Sequence, residues 1–256
     1  MKKLNEYIKE LNIITTKIKT KENVKLHLII ILPLLYFMRK NNIITPEEFQ
    51  MIINNENLKI KELKYYNFNE FFKVSNEIEE YLSEFIDDII DLLPPTIDYQ
   101  GVYFLLYEMI INVYKRSKFK NAYTQIINHD ENNIDICIFD NGIGIPGSFK
   151  ESSIDSLNDC EAIYEAINGK TTDKEKFVIH GMGLNSTAKL TTLGFEGEML
   201  IASGKGICEI TEKGAKPYLN SHEIKGTFVL LKIKNKKIKD IYEYLKFKNI
   251  SKIKED

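Results

Sequence analysis

The run Ile134-Asp-Ile-Cys-Ile-Phe-Asp140-Asn-Gly142-Ile-Gly144-Ile-Pro carries a strand-like stretch straight into a carboxylate and a glycine-spaced turn. A carboxylate at a strand end can accept from an exocyclic amine, while glycines let backbone come close to a ligand. A second glycine-spaced loop, His180-Gly181-Met182-Gly183-Leu184-Asn185, opens into a helical pattern that ends near Leu193. Free amides at a helix start hold phosphate oxygens, and glycine permits that approach. Lys225-Gly226-Thr227 enters the strand-like FVLLKI, where a small hydroxyl can reach a base or a water bound to it. Upstream, FLLYEMIINVYKRS sets Glu108 and Asn112 four residues apart, on one helical face among apolar neighbours.

Each of these has a plainer reading when taken alone. Glu108 and Asn112 suit a solvated stripe or bonds to a neighbouring strand. Asp-Asn-Gly suits a tight turn between two structural elements. A single glycine pair before a helix suits an ordinary loop. The elements that must position these groups are a helix from about Asp98 to Ser117 and strands at Tyr123–Ile127, Ile134–Phe139, Glu198–Ala202, Ile207–Ile210 and Thr227–Ile233. All 13 glycines lie at or after Gly101, so close backbone approaches concentrate in this part of the chain.

Ahead of it the texture differs. Residues 1–93 are rich in Lys, Glu, Asn, Ile and Leu and read as a mainly helical region for dimerisation or partner binding. Thr45-Pro46-Glu47-Glu48 is a helix start, and Asn69 to Leu92 keeps a period near 3.6 until Pro94-Pro95 stops it. The domain division expected is therefore 1–93 and 94–256.

The order of the four motifs resembles that of the GHKL ATPases, the class that joins type II topoisomerases, MutL, heat-shock chaperone ATPases, sensor histidine kinases and anti-sigma-factor serine kinases. The resemblance covers roughly Asp98 to Ile233. It implies an α/β sandwich with a mixed, mostly antiparallel sheet covered by helices on one face, and ATP with Mg2+ as cofactors. It further implies that Asn112 ligates the metal, which suits a hard cation bound by few protein oxygens. Glu108 is similar to the catalytic base of the hydrolytic branches. Asp140 is similar to the adenine-selecting carboxylate, with Gly142 and Gly144 beneath the base and Thr227 completing the pocket. Gly181, Met182, Gly183 and Leu184 match the second glycine box over the phosphates. The stretch from Pro146 to His180 stands where the family has its ATP lid, in which Lys170 and Thr172 are candidate phosphate contacts and a solvated loop is the alternative.

The sequence departs from the larger branches. None of His27, His129, His180 or His222 sits in the setting of a phospho-accepting histidine, so a conventional histidine kinase is not expected. Too few residues follow Ile233 for the transducer domain of topoisomerase or MutL subunits. The compact bacterial members that remain are anti-sigma-type serine kinases and ATP-binding proteins that work beside small STAS-like partners. Two functions stay open: hydrolysis of ATP or transfer of its terminal phosphate to a partner protein, with lid closure as a switch, or a nucleotide-gated interaction module with little turnover. Homodimerisation is a common habit of the family and is expected here.

Bulk properties set outer bounds. The chain of 256 residues is 43% apolar and 28% charged, enough for one large core or two modest ones. Its net charge of -2 supplies no field for nucleic acid or anionic lipid. Cys137, Cys160 and Cys208 are widely spaced, which argues against a disulfide framework or a zinc site. Charges interrupt the first 21 residues where a signal peptide needs an apolar core, so a cytoplasmic location is expected. The apolar run Leu26–Met38 contains His27 and Pro33 and is shorter than the roughly 20 residues that cross a bilayer, so it reads as core, a membrane-inserted or partner-binding segment being the alternative.

Overall fold

A computed structural model describes residues 59–63, 75–128, 130–156, 158–170, 183–246 and 248–253. The expected helix start at Thr45, the apolar run Leu26–Met38, and Thr172, Gly181 and Met182 lie outside the described residues. In chain order the elements are β1 (Lys59–Leu63), α1 (Ser75–Ile90), α2 (Tyr99–Asn112), β2 (Ala122–Asn128), β3 (Asn133–Asp140), α3 (Gly144–Glu151), α4 (Asp159–Ile167), α5 (Gly183–Lys189), β4 (Glu198–Thr211), β5 (Gly214–Lys234) and α6 (Tyr242–Leu245).

The five strands form one sheet in the order β1-β2-β3-β5-β4, and every neighbouring pair is antiparallel. The parallel component expected of a mixed sheet is confined to a single bridge, Ala215 to Lys252. The two strand segments expected at Glu198–Ala202 and Ile207–Ile210 are one strand, β4, whose register slips between Ser203 and Gly206, where Gly204 has φ +60. Lys59–Leu63 is a strand inside a stretch that reads as mainly helical. Three of its five residues, Lys59, Lys61 and Glu62, are charged, a composition found at sheet edges.

Helix α2 shows how local chemistry fixes an element. Asp98 is its N-cap and accepts from the Gly101 N–H at 2.8 Å. Gly101 leaves room for the Phe195 ring, which would stand 2.8 Å from a Cβ at that position. Val102, Leu105, Leu106, Met109 and Ile110 are buried, each side chain of that size contributing about 1.5–3 kcal/mol. Ile86 and Ile89 of α1 join the same core, so the Pro94-Pro95 break is a turn between two helices that share one core.

This core lies between the helices and one face of the sheet. Ile134, Ile136 and Ile138 of β3 contribute to it, as do Val229, Leu231 and Ile233 of β5 and Met199 and Ile201 of β4. The alternate residues Tyr123, Cys137, Phe139, Leu200, Phe228 and Leu230 are buried as well. That is why FVLLKI reads as a continuous apolar run rather than an alternating one. Lys232 is 1% exposed in the same strand and pairs with Glu198 at 3.1 Å. Cys137, Cys160 and Cys208 are free and buried. Among the described residues no helix is long and apolar enough to cross a membrane.

Candidate functional site

Three neighbouring strands end their helix-facing rows at the same level, and each ends in a polar residue. On β3 the row Ile134, Ile136, Ile138 runs into Asp140; on β5 Ile233, Leu231, Val229 runs into Thr227; on β4 Met199, Ile201 runs into Ser203. Asp140 pairs with Thr227, and Thr227 pairs with Ser203. The strand period thus aims a carboxylate and two hydroxyls into the helix-sheet interface at the point where its apolar filling stops.

Asp140 is 2% exposed. It takes the Gly142 N–H at 2.8 Å, and the Ser117 and Thr227 hydroxyls and the Thr227 N–H lie within reach. Burial nonetheless dominates and pushes its carboxyl up to about 7. Ionising it therefore costs about 4 kcal/mol relative to water, and a ligand that donates to it recovers part of that cost.

The turn after Asp140 is built of close backbone approaches. A Cβ at Gly142 would overlap the Ser117 carbonyl, and one at Gly226 (φ +87) would overlap the carbonyl of Asp140 itself. Gly144 has φ +72 and leaves space for the Ser203 hydroxyl, which accepts from the Ile145 N–H at 2.9 Å and donates to the Gly226 carbonyl at 2.7 Å. Ser203 thereby ties β4, β5 and the start of α3 together. Asn141 braces the far side, its Oδ1 accepting from the Lys120 and Asn121 N–H groups at 2.8 and 2.9 Å.

A cleft of about 830 Å3, the open solvent at its mouth included, leads away from Asp140. Its walls are largely apolar, including Met109, Val113, Ile138, Ile145, Phe149, Leu184 and Val229, with a few polar groups among them. Asp140, Ser117 and Thr227 form one end; Asn112, Arg116, Lys170 and Gly183 belong to the rest of the lining.

Glu108 and Asn112 meet α5 at Gly183. A Cβ there would overlap the Glu108 carboxylate and come 3.7 Å from Asn112 Nδ2. Asn112 Nδ2 donates to the Glu108 carbonyl at 2.7 Å. That commits its nitrogen and leaves Oδ1 without a hydrogen bond among the described residues. Glu108 is half-buried, and burial holds its carboxyl above the usual carboxylate range against the pull of Lys115 and Arg116. A carboxyl raised in this way is a stronger proton acceptor, once ionised, than an ordinary carboxylate.

Of the residues singled out in the sequence, Asn112, Asp140, Gly144, Lys170, Gly183, Leu184 and Thr227 line this one cleft, with Gly142 under its floor and Glu108 beside Gly183. Lys170 is exposed at the mouth, where its ammonium bonds Glu165 at 2.8 Å and the Asp155 carbonyl at 2.9 Å. Its charge is thus shared with its own neighbourhood.

The sequence reading missed Arg116, Ser117, Ser203 and Phe149. Arg116 continues the stripe Glu108, Asn112 by a further four residues and could have been found by that spacing. The helix widens to a π-turn at Val113–Ser117, an irregularity often met at functional sites, and ends at Lys118 with φ 51. Ser203 carries no local signal, because only strand register brings it beside Thr227.

A magnesium ion would fit this donor set on chemical grounds. The Oδ1 of Asn112 is a hard oxygen, and Mg2+ takes one or two protein oxygens with the rest from water and phosphate. Among the described residues no three His, Cys, Asp or Glu side chains cluster as a self-sufficient metal site. Compared with protein-family models, with curated proteins and with solved structures, the chain gives no match.

Proposed function

We propose that the cleft is an adenine-nucleotide site and that the chain is a Mg2+-dependent ATPase or ATP-using protein kinase of GHKL type. The observation that carries this reading is Asp140: a carboxylate buried at the floor of an apolar cleft, at the end of β3 and in register with Thr227 of β5. Such a group selects a flat, apolar ligand with an amine donor, and an adenine ring has that character. In the same lining Asn112 and Arg116 supply an amide oxygen and a guanidinium suited to a charged group.

The chain's own residues divide the work. Asp140 and Thr227 orient the base, and the walls from Met109 to Val229 exclude water from it. Asn112 Oδ1 would hold Mg2+, which when bound neutralises charge on the phosphates. Glu108 stands beside Gly183 and can hold or take a proton from a water or hydroxyl nucleophile. A small STAS-like protein remains the proposed partner and phospho-acceptor class, and a homodimer the proposed assembly.

Phosphate release by the full chain tests the catalytic half of this reading. Glu108→Gln should keep Mg-ATP affinity within about twofold and lower turnover by about a hundredfold or more, as expected for removal of a general base. Binding with no release, either alone or with a partner, would reduce the function to nucleotide-gated interaction.

A further inference from the structure

Gly183 can face Glu108 and Asn112 only if α5 is held in place, and the bonds that hold it come from far along the chain. Asn185, two residues on, is fully buried. Its Nδ2 donates to the Ile167 carbonyl at 3.1 Å and to the Lys248 carbonyl at 3.0 Å, and its Oδ1 accepts from the Lys248 N–H at 3.4 Å. Asn168, the C-cap of α4, does the same one step further. Its Oδ1 accepts from the Ile250 N–H at 2.8 Å and its Nδ2 donates to the Ile250 carbonyl at 3.3 Å. Ser186 adds a bond to the Leu245 carbonyl at 3.0 Å.

Residues 248–253 are themselves anchored on the sheet. Ala215 donates to the Ser251 carbonyl and Ile253 donates to the Ala215 carbonyl, both at 2.8 Å, while Lys252 pairs with Glu161 of α4. The segment therefore joins β5, the end of α4 and the start of α5, with two asparagine amides each engaging both the N–H and the C=O of a single strap residue. Such reciprocal pairs fix position along the chain as well as across it, in the manner of a one-residue strand pairing. Both asparagines have more satisfied groups than a surface side chain needs, and burying Asn185 is tolerable only because every one of its contacts is made.

Resting on the nucleotide reading above, we propose that Asn185 is a positioning residue and that segment 248–253 is a clasp, which together set Gly183 against Glu108 and Asn112 at the phosphate end of the cleft. The base end does not depend on it, because Asp140, Thr227 and Ser203 are held by strand register. Loosening the clasp should therefore weaken ligands that carry phosphates and spare those that do not.

The test uses the full chain with Asn185→Asp, which keeps shape and removes both donors, and Asn168→Ala, which is partly exposed and cuts the same clasp without a buried change. Calorimetry with Mg-ATP and with adenosine gives the split, and hydrogen exchange of the ligand-free protein gives the coupling. Each variant should raise the Kd of Mg-ATP by about tenfold, the size expected for losing one or two buried hydrogen bonds, and leave that of adenosine within about twofold. Exchange should rise together in residues 184–187 and 248–250. Unchanged Mg-ATP affinity, or equal weakening of both ligands, would overturn the proposal. Exchange that rises in only one of the two segments would overturn the clasp whatever the chain binds. Wild type that binds neither ligand would overturn the nucleotide reading and leave the exchange result to decide the clasp.

Discussion

Adenosine affinity should fall as the pH is lowered, because the group that receives the base is a carboxyl raised to about 7. Adenosine is chosen over ATP since it carries no phosphate that titrates in the same window. If the site accepts the adenine amine only when Asp140 is ionised, affinity follows the ionised fraction, which is about one half at pH 7, about one eleventh at pH 6 and about one hundredth at pH 5. The association constant should then drop by up to about fiftyfold between pH 7 and pH 5, roughly 2.3 kcal/mol, and change less than twofold between pH 7 and pH 8. Stability of the ligand-free protein should move the opposite way. The folded carboxyl is raised above its unfolded value, so its stabilising contribution is full below about pH 4 and is lost as pH rises through about 7, a swing of about 4 kcal/mol. Calorimetric titrations in buffers of different ionisation heat would also register proton release on binding at pH 6. In Asp140→Asn both trends should vanish, with weak and pH-independent binding. A wild-type affinity that stays flat from pH 7 to pH 5 would refute the assignment of Asp140 as the base acceptor.

Two glycines give further checks. Gly226→Ala places a Cβ against the Asp140 carbonyl at φ +87, so it should lower unfolding free energy by about 3 kcal/mol or more in a urea melt. Gly183→Ala meets only the end of the flexible Glu108 side chain, so the fold and adenosine binding should survive. Displacing that carboxylate by an ångström or so should lower phosphate release by about a hundredfold.

Much of this was legible in the residues. The helix from Asp98 is written in its cap and in the period of its apolar positions, and the observed strands β2 and β3 lie within a residue or so of the stretches read from alternation. The four motifs could be placed on a helix, two turns and a strand, and the described parts of all four border one cleft. What the sequence did not reveal depends on long-range register. Ser203 joins Asp140 and Thr227 because the register of three paired strands sets them side by side, and no local pattern encodes that. Asn185 falls in the second glycine-spaced loop and Asn168 in the stretch expected as a lid, and neither reading reveals their role, since their partners lie 63 and 82 positions away. The bulge at Gly204 split β4 in the reading because its φ of +60 interrupts the alternation that marks a strand. Lys59–Leu63 was missed because a five-residue edge strand with only two apolar residues, Ile60 and Leu63, has too little pattern to stand out.

The most direct test of the nucleotide assignment is a calorimetric titration of Mg-ATP into the full chain beside Asp140→Asn. Saturable binding of one nucleotide per chain in the wild type, weakened by about tenfold or more in the variant as expected for loss of a charge-assisted hydrogen bond, is the outcome the site chemistry requires. Absence of saturable binding in the wild type, or equal affinity in the two proteins, would contradict it.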